Sequence, residues 1–271
     1  MTLAPGLCSI TLRSSTVDEV ITIACRAGIE GIEWGADVHA PPAGGPKIDA
    51  LAARCRDAGL DVPSYGSYLG MAPADGDDAP VVDAVLDTAA ALGAPMVRIW
   101  TELGVGPTAP DSDRRRVIER TAALVDRITD RGFLVAFEFH PATLTETAAS
   151  ANALLDALDR PDTRTHWQPD PALGPDVALA ELGAVAPRLA HLHVFAWGAG
   201  GIGDRHPLVD GAQLWVGALQ LAGHAAATLP GPRYALCEYV RDDDPEQLVA
   251  DARVLRRWLD ELEPDDDHGR S

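Results

Sequence analysis

The chain is expected to fold as a single (β/α)8 barrel, an α/β TIM barrel, on three observations. Short apolar runs alternate with helix-like stretches, the runs number eight, and glycine recurs between a helix-like stretch and the run that follows it. Alternation of this kind gives parallel strands joined by right-handed crossovers, and eight strands permit closure. The length of 271 residues suits a barrel that typically needs about 250.

The strands are placed near Gly6 to Leu12, Gly31 to Trp34, Val62 to Tyr65, Met96 to Trp100, Phe133 to Glu138, Thr165 to Gln168, Leu189 to Phe195 and Tyr234 to Glu238. Helix starts are marked by Thr16-Val17-Asp18-Glu19, a capping box, and by Asp244-Pro245-Glu246-Gln247, which sets a cap, an N1 proline and an N3 glutamine in order. Apolar spacing is helical at Val82, Leu86 and Ala89 and again at Val117, Leu124 and Ile128. Helix ends are marked by Ala27-Gly28-Ile29, Ala58-Gly59-Leu60, Leu92-Gly93-Ala94 and Arg131-Gly132-Phe133, where glycine enters the left-handed conformation without steric cost. A doubly wound dinucleotide-binding sheet would open on a glycine-rich turn after its first strand, and Leu12-Arg13-Ser14-Ser15 is not one. Asp75-Gly76-Asp77-Asp78 and Gly104 to Pro110 read as loops. The barrel is assigned to residues 1–262, with an acidic, disordered tail at 263–271.

Bulk properties exclude several functions. A hydrophobic content of 46% supplies a core, while no stretch approaches the roughly 20 apolar residues of a membrane span. No basic segment followed by an apolar block is visible from Met1 to Ile10, so a soluble, cytoplasmic protein is expected. A net charge of −19 argues against nucleic acid, whose phosphates need Lys and Arg. The lysine Lys47 sits in the loop-like Gly44-Gly45-Pro46-Lys47, unlike the desolvated lysine of a Schiff-base aldolase. Cys8, Cys25, Cys55 and Cys237 form no close pair and suit buried core positions in a reducing compartment.

The chemistry is expected where the later strands end. The mouth of such a barrel gathers the C-terminal ends of its strands. Glu138 and Glu238 end apolar runs, where an acid is costly to bury unless paired with an arginine such as Arg98 or Arg233, or bound to a metal. His193 ends the seventh run, with His191 two residues earlier on the same face. Gln168 or Asp170 offers a further oxygen from strand six, Asp170 reading equally as a turn residue. His140 would face the mouth beside Glu138, Arg98 and Arg205 could bind substrate oxygens, and Trp34, Trp100, Trp167 and Trp197 could line a sugar site. The loop Gly198-Ala199-Gly200-Gly201-Ile202-Gly203 reads as a turn or lid ahead of a phosphate site.

At these residues the chain resembles the xylose isomerase-like barrel superfamily, from Gly31-Ile32-Glu33-Trp34 through Val135-Ala136-Phe137-Glu138 and Leu192-His193-Val194 to Leu236-Cys237-Glu238. The resemblance implies one divalent ion, usually manganese, magnesium or cobalt with zinc as a further candidate, held at Glu138, Gln168, His193 and Glu238. The family's usual aspartate on strand six stands here as Gln168, which donates less charge, and Asp170 is the alternative. The endonuclease IV branch needs a larger histidine-rich set than this chain offers at its strand ends.

The reaction so implied is isomerisation or epimerisation of a keto-sugar or related polyol through an enediolate. Glu138 and Glu238 serve as acid and base, and His140, Arg98, Asp170, Arg205 and Trp34 as substrate contacts. A lyase or dehydratase on a keto-inositol or keto-glycoside shares the first step, and a non-catalytic carbohydrate-binding barrel is the third reading. A small-molecule sugar is the expected partner, with neither nucleic acid nor membrane, and a homo-oligomer is left open.

Overall fold

Residues 3–42, 44–73, 79–225, 229 and 231–262 are described by the structure, a computed structural model. The acidic tail at 263–271 and the loop Asp75-Gly76-Asp77-Asp78 lie outside them. The strands are β1 (Leu3–Cys8), β2 (Gly31–Gly35), β3 (Tyr65–Gly66), β4 (Met96–Ile99), β5 (Leu134–Glu138), β6 (Thr163–Trp167), β7 (Leu189–Val194) and β8 (Arg233–Cys237). They pair in parallel in chain order and close, β8 against β1. The helices α1 (Val17–Ala27), α2 (Pro46–Asp57), α3 (Ala79–Leu92), α4 (Asp111–Asp130), α5 (Ala148–Leu158), α6 (Pro175–Val185), α7 (Ala212–His224) and α8 (Pro245–Asp260) follow the strands one by one.

The local signals act where the sequence puts them. Thr16 and Glu19 form the reciprocal capping box of α1. Asp244 accepts the Glu246 amide at the start of α8, with Pro245 in the first turn. Gly28, Gly59, Gly93 and Gly132 all take positive φ after their helices. The first strand is displaced from its expected place. It covers Leu3–Cys8, and Ser9–Leu12 is a buried 3-10 turn. Pro5, lacking an amide proton, weakens the strand signal at the front, while the apolar Ile10 and Leu12 mimic one behind.

Strand alternation divides the side chains between two compartments. On β2 Ile32 and Trp34 join the apolar layer between sheet and helices, with Leu51, Leu86 and Val125, while Glu33 faces the barrel interior. Trp34 is therefore fully buried beside Cys55 of α2 and outside the mouth, contrary to its expected substrate contact. Trp167 shares that fate, packed edge-on against Trp215 of α7. Among the cysteines Cys8, Cys55 and Cys237 are buried as expected, but Cys25 on the outer side of α1 is exposed.

The interior is apolar at the base, where Ala4, Tyr234 and Leu236 cluster, and ionic towards the mouth. Gly31 admits the Tyr234 ring, since a Cβ there would stand 2.6 Å from it. Gly66 does the same for the ionic layer: a Cβ would lie 2.6 Å from Arg98 Nη2 and 2.9 Å from Glu33 Oε1. Among the described residues no helix is long and apolar enough to cross a membrane. Replacing Gly66 by alanine is expected to destabilise the fold by about 1–3 kcal/mol, the usual range for overpacking. Denaturant unfolding of Gly66→Ala measures this, and an unchanged midpoint would contradict the packing described.

Candidate metal and proton-transfer centre

Four strands deliver the central side chains. Glu138 is the last residue of β5, His193 the penultimate of β7, and Gln168 and Glu238 follow β6 and β8 directly. Glu238 remains in register through its amide, which donates to the Val194 carbonyl at 2.9 Å. Glu138 and Glu238 are 5% and 3% exposed and His193 is fully buried, so charge here must be matched internally.

His193 is the hinge of the arrangement. Its Nδ1 lies 3.3 Å from Gln168 Oε1, 3.6 Å from Glu238 Oε1 and 3.7 Å from Glu138 Oε1. Ligands at right angles around a small divalent cation stand about 3 Å apart, so these donors suit one shared ion. Glu138, His193 and Glu238 each offer a ligand atom within 4.8 Å of the others. The amide of Gln168 is oriented by its Nε2, which donates to the Phe139 carbonyl at 2.6 Å and leaves Oε1 facing His193. Asp170 lines the cavity further out, and its carboxylate accepts the Ala172 amide at 2.8 Å as a turn residue does.

The two glutamates differ in their surroundings. Arg98, only 1% exposed, places Nη1 2.6 Å from Glu138 Oε2 and Nη2 3.2 Å from Glu33 Oε1. Glu238 has no arginine at ion-pair distance among the described residues. Burial, reinforced by the charge of Glu138 and opposed by His193, pushes its carboxyl up to about 7. Burial would depress His193, but Glu238, Glu33 and Glu138 outweigh it and carry the imidazole to about 9.

Below this layer lies Glu33. It receives Arg98 Nε at 3.3 Å and the Ser64 hydroxyl at 2.5 Å, with His166 Nδ1 at 3.3 Å and His193 Nε2 at 3.5 Å. Despite deep burial, Arg98 and the two histidines hold its carboxyl well below the usual range. Cys8, Glu33 and His193 form a second close group. Arg98 already supplies that group's cation, and burial beside Glu33 and Glu238 pushes the Cys8 thiol well up, keeping it protonated. His191, on the same face as His193, accepts the Tyr234 amide at its Nδ1 and is kept neutral chiefly by burial.

The cavity above the centre holds about 460 Å³. Trp100 and His140 pack with ring centroids 4.2 Å apart on one wall, and Phe195 and Trp197 stack at 3.8 Å on another. His140 Nδ1 donates to the Pro141 carbonyl at 2.9 Å, which leaves Nε2 as its free nitrogen. At the rim Arg13 binds Asp37 at 2.8 Å and reaches the hydroxyls of Tyr68 and Tyr239. Tyr239 holds φ at 46°, a left-handed conformation that turns the chain out of β8 directly after Glu238.

Arg205 does not reach the cavity. It ion-pairs with Asp243 and donates to the Val240 carbonyl at 3.1 Å, fastening the segment after β8. Arg233, named above as an alternative glutamate partner, binds the carbonyls of Leu189, Ala190 and Ala222 instead. The glycine loop after β7 is a tight turn in which Asp204 accepts the Gly200 amide and pairs with His206. An acid there disfavours phosphate. Glu33, His166, Arg13, Tyr68 and Tyr239 escaped assignment to the site from the sequence. Glu33 carries the same signal as Glu138 and Glu238, an acid within an apolar run, and alternation applied to β2 finds it.

The family described as xylose isomerase-like TIM barrel matches residues 21–258. No curated protein sequence matches the chain. Among solved structures it is similar to the probable 3-DHS dehydratase AsbF involved in petrobactin synthesis from Bacillus anthracis, at 18% identity and a TM-score of 0.78, over 94% of this chain and 99% of that one. It is similar to an L-ribulose 3-epimerase at 17% identity and a TM-score of 0.70, over the whole of both chains. A xylose isomerase-like TIM barrel protein from Mycobacterium smegmatis in complex with magnesium gives 16% identity and a TM-score of 0.66, over 96% of this chain and 98% of that one. At such identities the likeness carries the fold alone, but the family match spans most of the sequence: this chain belongs to the xylose isomerase-like TIM barrel family.

Proposed function

We propose that the protein is a divalent-metal-dependent isomerase or epimerase of a keto-sugar or related polyol. The observation that carries this reading is the convergence of Glu138, Gln168 and Glu238, which line an aromatic-walled cavity, on the buried His193, with their oxygens 3.3–3.7 Å from its Nδ1. The four would hold manganese, magnesium, cobalt or zinc. Gln168 replaces a carboxylate, so the site carries one negative charge fewer than a Glu-Asp-His-Glu set. When bound, such a cation supplies Lewis-acid stabilisation of the charge that develops on a substrate carbonyl oxygen.

The chain's own residues divide the remaining work. Glu238, which no arginine clamps among the described residues, takes the proton from the carbon beside the carbonyl. Glu138, fixed by Arg98, relays a proton drawn from solvent in the cavity to the opposite face or the neighbouring carbon, and the proton held by Glu238 passes back to solvent. Arg98 thus positions a glutamate first and meets substrate only with what its two ion pairs leave free. His140 presents its free nitrogen to a hydroxyl, and Trp100 and Trp197 give the ring or chain of a polyol flat surfaces that exclude water.

A lyase on a keto-inositol or keto-glycoside is the second reading, since the same enediolate can expel a β-oxygen substituent and a probable dehydratase is among the structures to which the chain is similar. Product analysis on a panel of ketoses and cyclic keto-polyols separates the two. An epimer or isomer supports the first, and an unsaturated product of lower mass the second.

Replacing Glu238 by glutamine is expected to lower turnover about a thousandfold, within the range of lost acid–base catalysis, while the fold persists. Exchange of the substrate's carbon-bound proton with deuterated solvent is the readout. Undiminished exchange in Glu238→Gln would contradict the assignment.

Ion removal and return should also be visible without turnover. Chelated protein titrated with manganese is expected to gain about 4 kcal/mol of stability at a thousandfold excess over Kd. In the ion-free fold, His193 at about 9 and Glu238 at about 7 both stand above their ordinary values. Their contributions to stability therefore fall as pH rises, Glu238 between about 4.5 and 7 and His193 between about 6.5 and 9. Ion binding runs the other way, because ligands must shed protons. Calorimetry should show proton release and a Kd at least about tenfold tighter at pH 9 than at pH 6. A pH-independent Kd would contradict these protonation states.

A further inference from the structure

We propose that Glu33 is a positioning residue for the metal centre: it holds the Nε2 side of His193 inside the barrel so that Nδ1 is presented to the ion. The inference rests on the metal reading above and adds to it a residue outside the ligand set.

The two nitrogens of His193 face different worlds. Nδ1 looks up at Gln168, Glu238 and Glu138, and Nε2 looks down at Glu33 Oε1, 3.5 Å away. That Nε2 is buried and makes no hydrogen bond of good geometry, so a ring nitrogen with unmet hydrogen-bonding capacity lies 3.5 Å from a carboxylate. With Nδ1 on a cation, Nε2 would carry the ring proton and Glu33 Oε1 would be its acceptor. A metal-bound imidazole generally donates its second N–H to a carboxylate or carbonyl, which fixes the tautomer and strengthens the donor.

Glu33 is built to stay in place while doing this. Ser64 and His166 engage its Oε2, Arg98 and the Cys8 thiol approach its Oε1, and Gly66 leaves no Cβ to displace it. Because Arg98 bridges Glu33 to Glu138, the same carboxylate fixes two of the four ligands, His193 directly and Glu138 through the guanidinium. Lone structural ion pairing would require the Arg98 contact but not the placing of Oε1 within 3.5 Å of the buried Nε2 of His193.

Two measurements test the role. Isotope-labelled histidine NMR of the wild-type protein loaded with zinc should show His193 coordinated through Nδ1 with a proton on Nε2. Coordination through Nε2, or a proton on Nδ1, would overturn the proposal, and this arm needs no variant to fold. In the second, manganese affinity of Glu33→Gln is expected to fall about 10–100-fold, with Glu33→Ala lower still, since glutamine keeps an acceptor and loses only the charge. A folded Glu33→Gln with wild-type affinity would overturn it. Failure of the metal reading looks different, for then the wild-type protein itself takes up neither zinc nor manganese.

Discussion

Everything at the mouth of this barrel depends on one guanidinium buried between two carboxylates. Arg98 carries its charge at 1% exposure, spanning Glu33 on β2 and Glu138 on β5. Removing ions from water costs several kcal/mol each, and attraction offsets that only when geometry is good and remaining polar atoms are met. Here they are met in part: Arg98 also reaches the Ser67 carbonyl and Glu33 accepts from Ser64, while both ring nitrogens of His166 and Nε2 of His193 lie buried near the network without a hydrogen bond. Such a network adds little net stability over a packed apolar interior, but it leaves few alternative arrangements for the side chains it holds.

That constraint explains why two chemically identical glutamates play different parts. Glu138 has one oxygen tied to Arg98 and the other turned towards His193, whereas Glu238 faces only the imidazole and the cavity. The asymmetry is set by strand order, since Arg98 stands on β4, the immediate neighbour of the β5 that carries Glu138, and far around the barrel from β8. A reaction that takes a proton on one side and returns it on another needs two carboxylates with unlike environments. The barrel supplies both from one alternation pattern.

The architecture was legible because each of its signals is local. Capping at Thr16 and Asp244 and glycines at 28, 59, 93 and 132 depend on neighbours within a few residues, and all act as read. Glu138, Gln168, His193 and Glu238 were legible as strand-end groups, and the structure brings them together. What failed was assigning aromatic and cationic residues to faces. Trp34 and Trp167 sit one residue out of phase with Glu33 and His166, so they point to the helices, while Arg205 is claimed by Asp243 from a separate segment. Glu33 itself was missed as a site residue because its partners, from Cys8 to His193, come from five strands or strand ends and no local window contains them.

The proposed chemistry needs a single cation shared by the ends of the later strands. Crystals of the protein grown with manganese, with anomalous scattering recorded at the metal edge, test it most directly. One strong peak enclosed by Glu138, Gln168, His193 and Glu238 is expected. An ion bound elsewhere, or no peak there at saturating manganese, would contradict it.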